Sequence, residues 1–163
     1  MKVWLAIVAL SAANLGAAEM EKAFGGSKVD EVIRVRLDRG DLLLETIVDV
    51  IKAKNVQDGA VLTAVGSLQE CNFHTVMSFA ESPEQNAIHK MGPLEILNVN
   101  GMIAAGEPHL HMTLADKDGQ AIGGHLDPGC KVLYRAEVTI ARYSGAQLKR
   151  EVNSAGVGVL QKR

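Results

Sequence analysis

Beyond residue 30 the apolar positions recur mostly with a period of two, and one segment only shows a helical period. Glu31–Leu37 alternates, with Ile33, Val35 and Leu37 on one side and Arg34 and Arg36 on the other, which predicts a half-buried strand. Asp38-Arg39-Gly40 breaks it. The period then lengthens: Leu43, Leu44, Ile47, Val48 and Ile51 form an apolar stripe at helical spacing, predicting a helix capped by Asp41, with Glu45 nearby, that ends by Lys52 to Asn55. Further strands are expected over Ala60–Val65, stopped by Gly66-Ser67, and over Glu70–Phe79, Leu94–Asn100, His109–Ala115, Gln120–Leu126 and Lys131–Arg142. Short strands separated by turn residues predict a mostly antiparallel sheet. One helix can cover one of its faces, which makes the fold class α+β, with the sheet curling around a core.

The amino-terminal residues follow no such pattern. Met1-Lys2 is a minimal basic start, Val3–Leu10 is apolar, and Ser11–Ala18 is small and neutral, the architecture of a secretory signal peptide. Gly16-Ala17-Ala18 fits the cleavage rule, with Ser11-Ala12-Ala13 as an alternative cut. The expected organisation is a signal peptide over 1–18, a linker over 19–30, the domain over 31–152 and a solvated tail over 153–163. The apolar run is short for a membrane span of about 20 residues, so a periplasmic or secreted protein, free of the membrane after cleavage, is expected.

Composition adds two limits. The 163 residues are 47% hydrophobic and 22% charged, ordinary for one globular domain, but only 4% aromatic, so the core must rest on aliphatic side chains. Few aromatic stacking platforms and a formal net charge of −2 argue against nucleic acid as a partner. Export would permit a Cys71 to Cys130 disulfide. Two small buried hydrophobes on different strands are at least as good a reading of the same pair, and the favoured one.

Candidate chemistry gathers in PHLHMTLADKDGQAIGGHL. Residues two apart on a strand share a face, so His109 and His111 point the same way. Lys117-Asp118-Gly119 reads as a three-residue hairpin loop, a type I turn closed by a left-handed glycine, with Asp116 paired to Gln120. Counting outward from that pair places His111 opposite His125, with His109 diagonal on the same face. A lone strand histidine is more often a surface or core residue, but three in register describe a metal site. Neutral imidazoles suit zinc first, with nickel, copper or iron as alternatives, and three protein ligands leave a fourth position for water or substrate. Glu107 shares the face by alternation and is a candidate fourth ligand or proton acceptor, although Pro108 intervenes. His74 and His89 lie apart in sequence and read as structural or surface residues.

The ordered series Leu37-Asp38-Arg39-Gly40-Asp41, Asp58-Gly59-Ala60, Gly66-Ser67-Leu68, Gly92-Pro93-Leu94-Glu95-Ile96-Leu97, Gly106-Glu107-Pro108-His109-Leu110-His111 and Gly123-Gly124-His125-Leu126 resembles the plant and prokaryote conserved domain, PPC. The match spans about Val32 to Arg142. The resemblance implies a seven-stranded antiparallel sheet with a packed helix, a homotrimer, and a metal at His109, His111 and His125. It also brings a DNA-binding label from plant members that carry AT-hooks. This sequence contains no such segment, and a label inherited through a fold is not a site.

Two functions of different class follow. One is a metal-dependent hydrolytic or small-molecule-binding protein, with Glu95 or Glu107 as the proton-transfer candidate. The other is a non-catalytic trimeric interaction module, motivated by the lack of a nucleophile elbow or a phosphate-cradling glycine loop.

Overall fold

A computed structural model describes residues 22–163, so the expected signal peptide and the start of the linker lie outside the described residues. The chain runs β1 (Lys28–Asp38), α1 (Leu43–Ala53), β2 (Asp58–Val76), β3 (Gln85–Ala104), β4 (Glu107–Ala115), β5 (Ala121–Leu126), β6 (Lys131–Ser144), β7 (Leu148–Val152) and β8 (Gly158–Lys162). The class is α+β with antiparallel pairing throughout. β1 to β6 form one sheet in the order β1-β6-β2-β3-β4-β5, and β7 and β8 form a separate two-stranded sheet.

The expected count of seven strands in one sheet is therefore corrected to six. Gly66 and Ser67 do not end a strand: β2 passes through them and absorbs its irregularity as register shifts near Leu68 and Glu70, so two expected strands are one long one. A bulge bends and twists a strand without stopping it. That bending lets the far end of β2 leave β6 and meet β5, with Phe73 opposite Leu126 and His74 opposite His125. β2, β3, β4 and β5 thus close on one another.

Two boundaries also move. The expected linker gives up Lys28 to Asp30 to β1, where Lys28 pairs with Ser144. Residues 153–163 are largely exposed, but they turn and return as β8, pairing with β7 from Leu148↔Lys162 to Val152↔Gly158.

The core is aliphatic, as the composition requires. Leu43, Ile47 and Ile51, spaced four apart on α1, are buried against the sheet, and such burial contributes about 1.5–3 kcal/mol per side chain. Asp41 does not cap this helix. Its carboxylate instead accepts from the Asp38 main-chain N–H at 2.8 Å, closing the preceding turn, while the Leu43 N–H donates to the Cys130 carbonyl at 2.8 Å. Glu45 accepts from the Gly129 N–H at 2.9 Å. Cys71 and Cys130, left open by the sequence, are joined in a disulfide that ties β2 to the turn before β6. None of the described helices is long and apolar enough to cross a membrane.

Candidate metal centre

β4 alternates cleanly: Leu110, Met112 and Leu114 are buried while His109, His111 and Thr113 are exposed, so the histidines stand on the outer face of the curled sheet. The connection to β5 is the one the residues dictate. Asp116 N–H donates to the Gln120 carbonyl at 3.1 Å, Gly119 N–H donates back to the Asp116 carbonyl at 2.9 Å, and Gly119 sits at φ 75°. The Asp116 carboxylate accepts from the Asp118 and Gln120 main-chain N–H groups, each at 3.0 Å, and these bonds hold its carboxyl below the usual carboxylate range. From this loop the register runs Ala115↔Ala121 to His111↔His125.

His109, His111 and His125 each offer a ring nitrogen within 4.8 Å of the others. The Nε2 atoms of His109 and His111 are 3.3 Å apart. Two nitrogens at about 2.05 Å from a tetrahedral ion would stand about 3.3 Å apart, so this spacing fits a shared zinc. The His125 ring meets both others nearly edge-on, at interplanar angles of 72° and 75°. Burial, then the charges of Arg150, His111 and His74, lowers the His109 pKa below the ordinary histidine value. His125 is lowered first by burial, then by His74 and His109, against a smaller opposing pull from Asp127. Both are thereby biased to the neutral form, the one that ligates.

A fourth imidazole belongs to this face. His74, expected to lie apart, stacks on His125 with ring centroids 4.5 Å apart. Its Nδ1 is 2.9 Å from both carboxylate oxygens of Asp127. A carboxylate only accepts, so Nδ1 is the nitrogen that carries a proton and donates it to Asp127. His74, His125 and Asp127 also satisfy the spacing for a metal group, with His125 common to both sets. Gly124 makes this approach possible, because a Cβ there would overlap the His74 carbonyl oxygen. Asp127 had a sequence signal, since it stands two residues after His125 just as His111 follows His109. His74 had none, because its partner strand is not its neighbour in sequence.

The two acidic candidates fare differently. Glu107 opens β4 two residues before His109 and is exposed on the same face. Glu95 pairs with Ala115, four residues along β4 from His111, about 13 Å away at about 3.3 Å per residue. His89 is also outside the cluster, with Nδ1 2.7 Å from the Asn72 side-chain oxygen.

Arg150, which the sequence did not single out, reaches the rim from β7. Its Nη1 donates to the Glu107 carbonyl at 2.9 Å and its Nη2 to the Met102 carbonyl at 3.1 Å. Met102 is the register partner of His109.

Comparison with known proteins places this arrangement. Among solved structures, a plant- and prokaryote-conserved protein from Pyrococcus horikoshii superposes with a TM-score of 0.74 at 21% identity, over 86% of this chain and 98% of that one. A metal-containing protein from Archaeoglobus fulgidus superposes with a TM-score of 0.71 at 25% identity, over 87% and 99%. The bifunctional protein GlmU of a Synechococcus strain is 32% identical over 126 residues, which is 77% of this chain but only 19% of that protein's length. The model of the Plants and Prokaryotes Conserved domain matches residues 25–144, which include every histidine described above. By that match, and by the strand order and curl that accompany it, this chain belongs to the Plants and Prokaryotes Conserved domain family.

Proposed function

We propose that this protein holds one divalent metal ion, zinc in first place, on His109, His111 and His125, and offers the ion's remaining position to a small-molecule ligand. The observation that carries this reading is the convergence of three imidazoles from two strands, with two ring nitrogens already 3.3 Å apart. A similar protein from Archaeoglobus fulgidus is metal-containing, which supports it. A bound zinc would supply Lewis-acid chemistry of the kind used in hydrolysis. The chain's own contribution is to hold neutral ligands on a rigid hairpin, with His74 fixed by Asp127 and stacked against His125. Glu107 is the acid close enough along β4 to take or return a proton.

The chain would act as a homotrimer outside the cytoplasm. Val65 and Leu97 are 49% and 51% exposed, and both fall between the paired positions Val61↔Gly101 and Gly66↔Ile96 of β2 and β3. An apolar outer patch of this kind is suited to a further copy of the chain. The Cys71–Cys130 disulfide supports an oxidising compartment. That same patch also favours the second reading, a non-catalytic interaction module in which metal serves structure. DNA binding has only the family label behind it, and a net charge of −2 opposes it.

Elemental mass spectrometry of the purified protein beside His111→Ala, with oligomer mass measured on the same samples, tests the reading. About one divalent ion per chain is expected in the wild type and none in the variant. Equal metal content in the two would refute the site.

A further inference from the structure

We propose that the ligand of the metal face is a small oxyanion, carrying a carboxylate or phosphate group, and that Arg150 of the C-terminal hairpin grips it beside the ion. The inference rests on the metal reading and narrows its ligand class. Arg150 is anchored next to His109 through the carbonyls of Glu107, two residues earlier, and Met102, its cross-strand partner. Both acceptors are neutral, and two of the five guanidinium N–H groups serve them, which leaves a fork of donors free for an oxyanion. Glu107 acts on this charge only through space, and Arg150 makes no ion pair among the described residues. A half-buried, unneutralised guanidinium beside a divalent ion on neutral imidazoles sums to three positive charges. The carboxylates of Glu107 and Asp127 offset two. The face would therefore attract an anion although the whole chain is net negative.

The hairpin is held to deliver this side chain. Leu148 is buried, its N–H donates to the Asp58 carboxylate at 2.9 Å, and Arg163 N–H donates to the Gln147 carbonyl at 2.9 Å. The match to the family ends at residue 144. Arg150 therefore lies on a segment outside the residues that the family model matches.

Calorimetric titration of the zinc-loaded full chain with malonate, and separately with inorganic phosphate, tests the proposal in the wild type, Arg150→Ala, Arg150→Lys and Lys149→Ala. Lys149 pairs with Glu151 on the same hairpin, so its loss removes the same charge from a different place. Arg150→Ala should weaken at least one anion roughly tenfold or more, at unchanged zinc content, while Lys149→Ala stays near the wild type. Arg150→Lys keeps the charge without the fork and should fall between. The anion that responds identifies the head group. Failure of the loaded wild type to bind either anion, or equal affinities in wild type and Arg150→Ala, would overturn the inference and leave the metal reading standing. Protein that takes up no zinc would overturn both.

Discussion

The two halves of the histidine face are built by different means. His109, His111 and His125 are brought together by one hairpin, whose loop of Lys117, Asp118 and Gly119 sets the register within a few residues. His74 and Asp127 are brought to the same place by a closure across the fold: β2 must bend through its bulges, β5 must present Gly124, and the Cys71–Cys130 bond must hold the following turn. Local turn chemistry fixes the first half, and long-range packing fixes the second. The first half should therefore survive damage that disorders the other.

Removing the disulfide is the strongest way to separate them. Cys71→Ser with Cys130→Ser should cost about 4 kcal/mol for a loop of this length, read from denaturant unfolding, and should loosen Asp127 against His74. Metal stoichiometry at the trio should stay at about one ion per chain. Loss of metal in a variant that is still folded would show that the hairpin does not act alone. A smaller effect is expected from Gly124→Ala. The new methyl group meets the His74 carbonyl, so β2 and β5 must part at a cost of about 1–3 kcal/mol, and the His74 ring resonances should shift more than those of His109. If the His109 and His111 resonances move equally, the two halves are coupled. The smallest effect concerns pH. His109 and His125 have folded pKa values below the ordinary 6.5, so the unfolded chain takes up protons first. The apo protein should lose stability as pH falls below about 6.5 and level off once both are protonated in the folded state too. Metal should be retained at neutral pH and released as the pH falls through the lowered folded pKa values, below which added zinc should no longer stabilise the protein. The facing charges that shape this response are Arg150, His111, His74 and Asp127.

What could be read from residues alone follows the same division. The β4–β5 register, the outward histidines and the stripe of α1 are short-range patterns, and each is present in the structure as spacing and turn chemistry require. The seven-strand count failed because glycine and serine at 66 and 67 look like a stop when the strand only bends. The role of Asp41 differed because a competing local donor, the Asp38 N–H, lay within reach of its carboxylate. His74 was invisible for want of a sequential partner, and β7–β8 because its short, exposed strands bury almost nothing beyond Leu148.

The disulfide also makes a covalent ring of the chain. Its two cysteines are 59 residues apart, and His74, His109, His111, His125 and Asp127 all lie inside the span they enclose. A protease that cut the exposed β2–β3 tip, where Met77 and Phe79 stand in solvent, would open the ring without releasing a fragment. Both nicked ends would stay joined through sulfur, and every candidate ligand would remain on the same molecule. That is durability by topology, distinct from any gain in folding free energy.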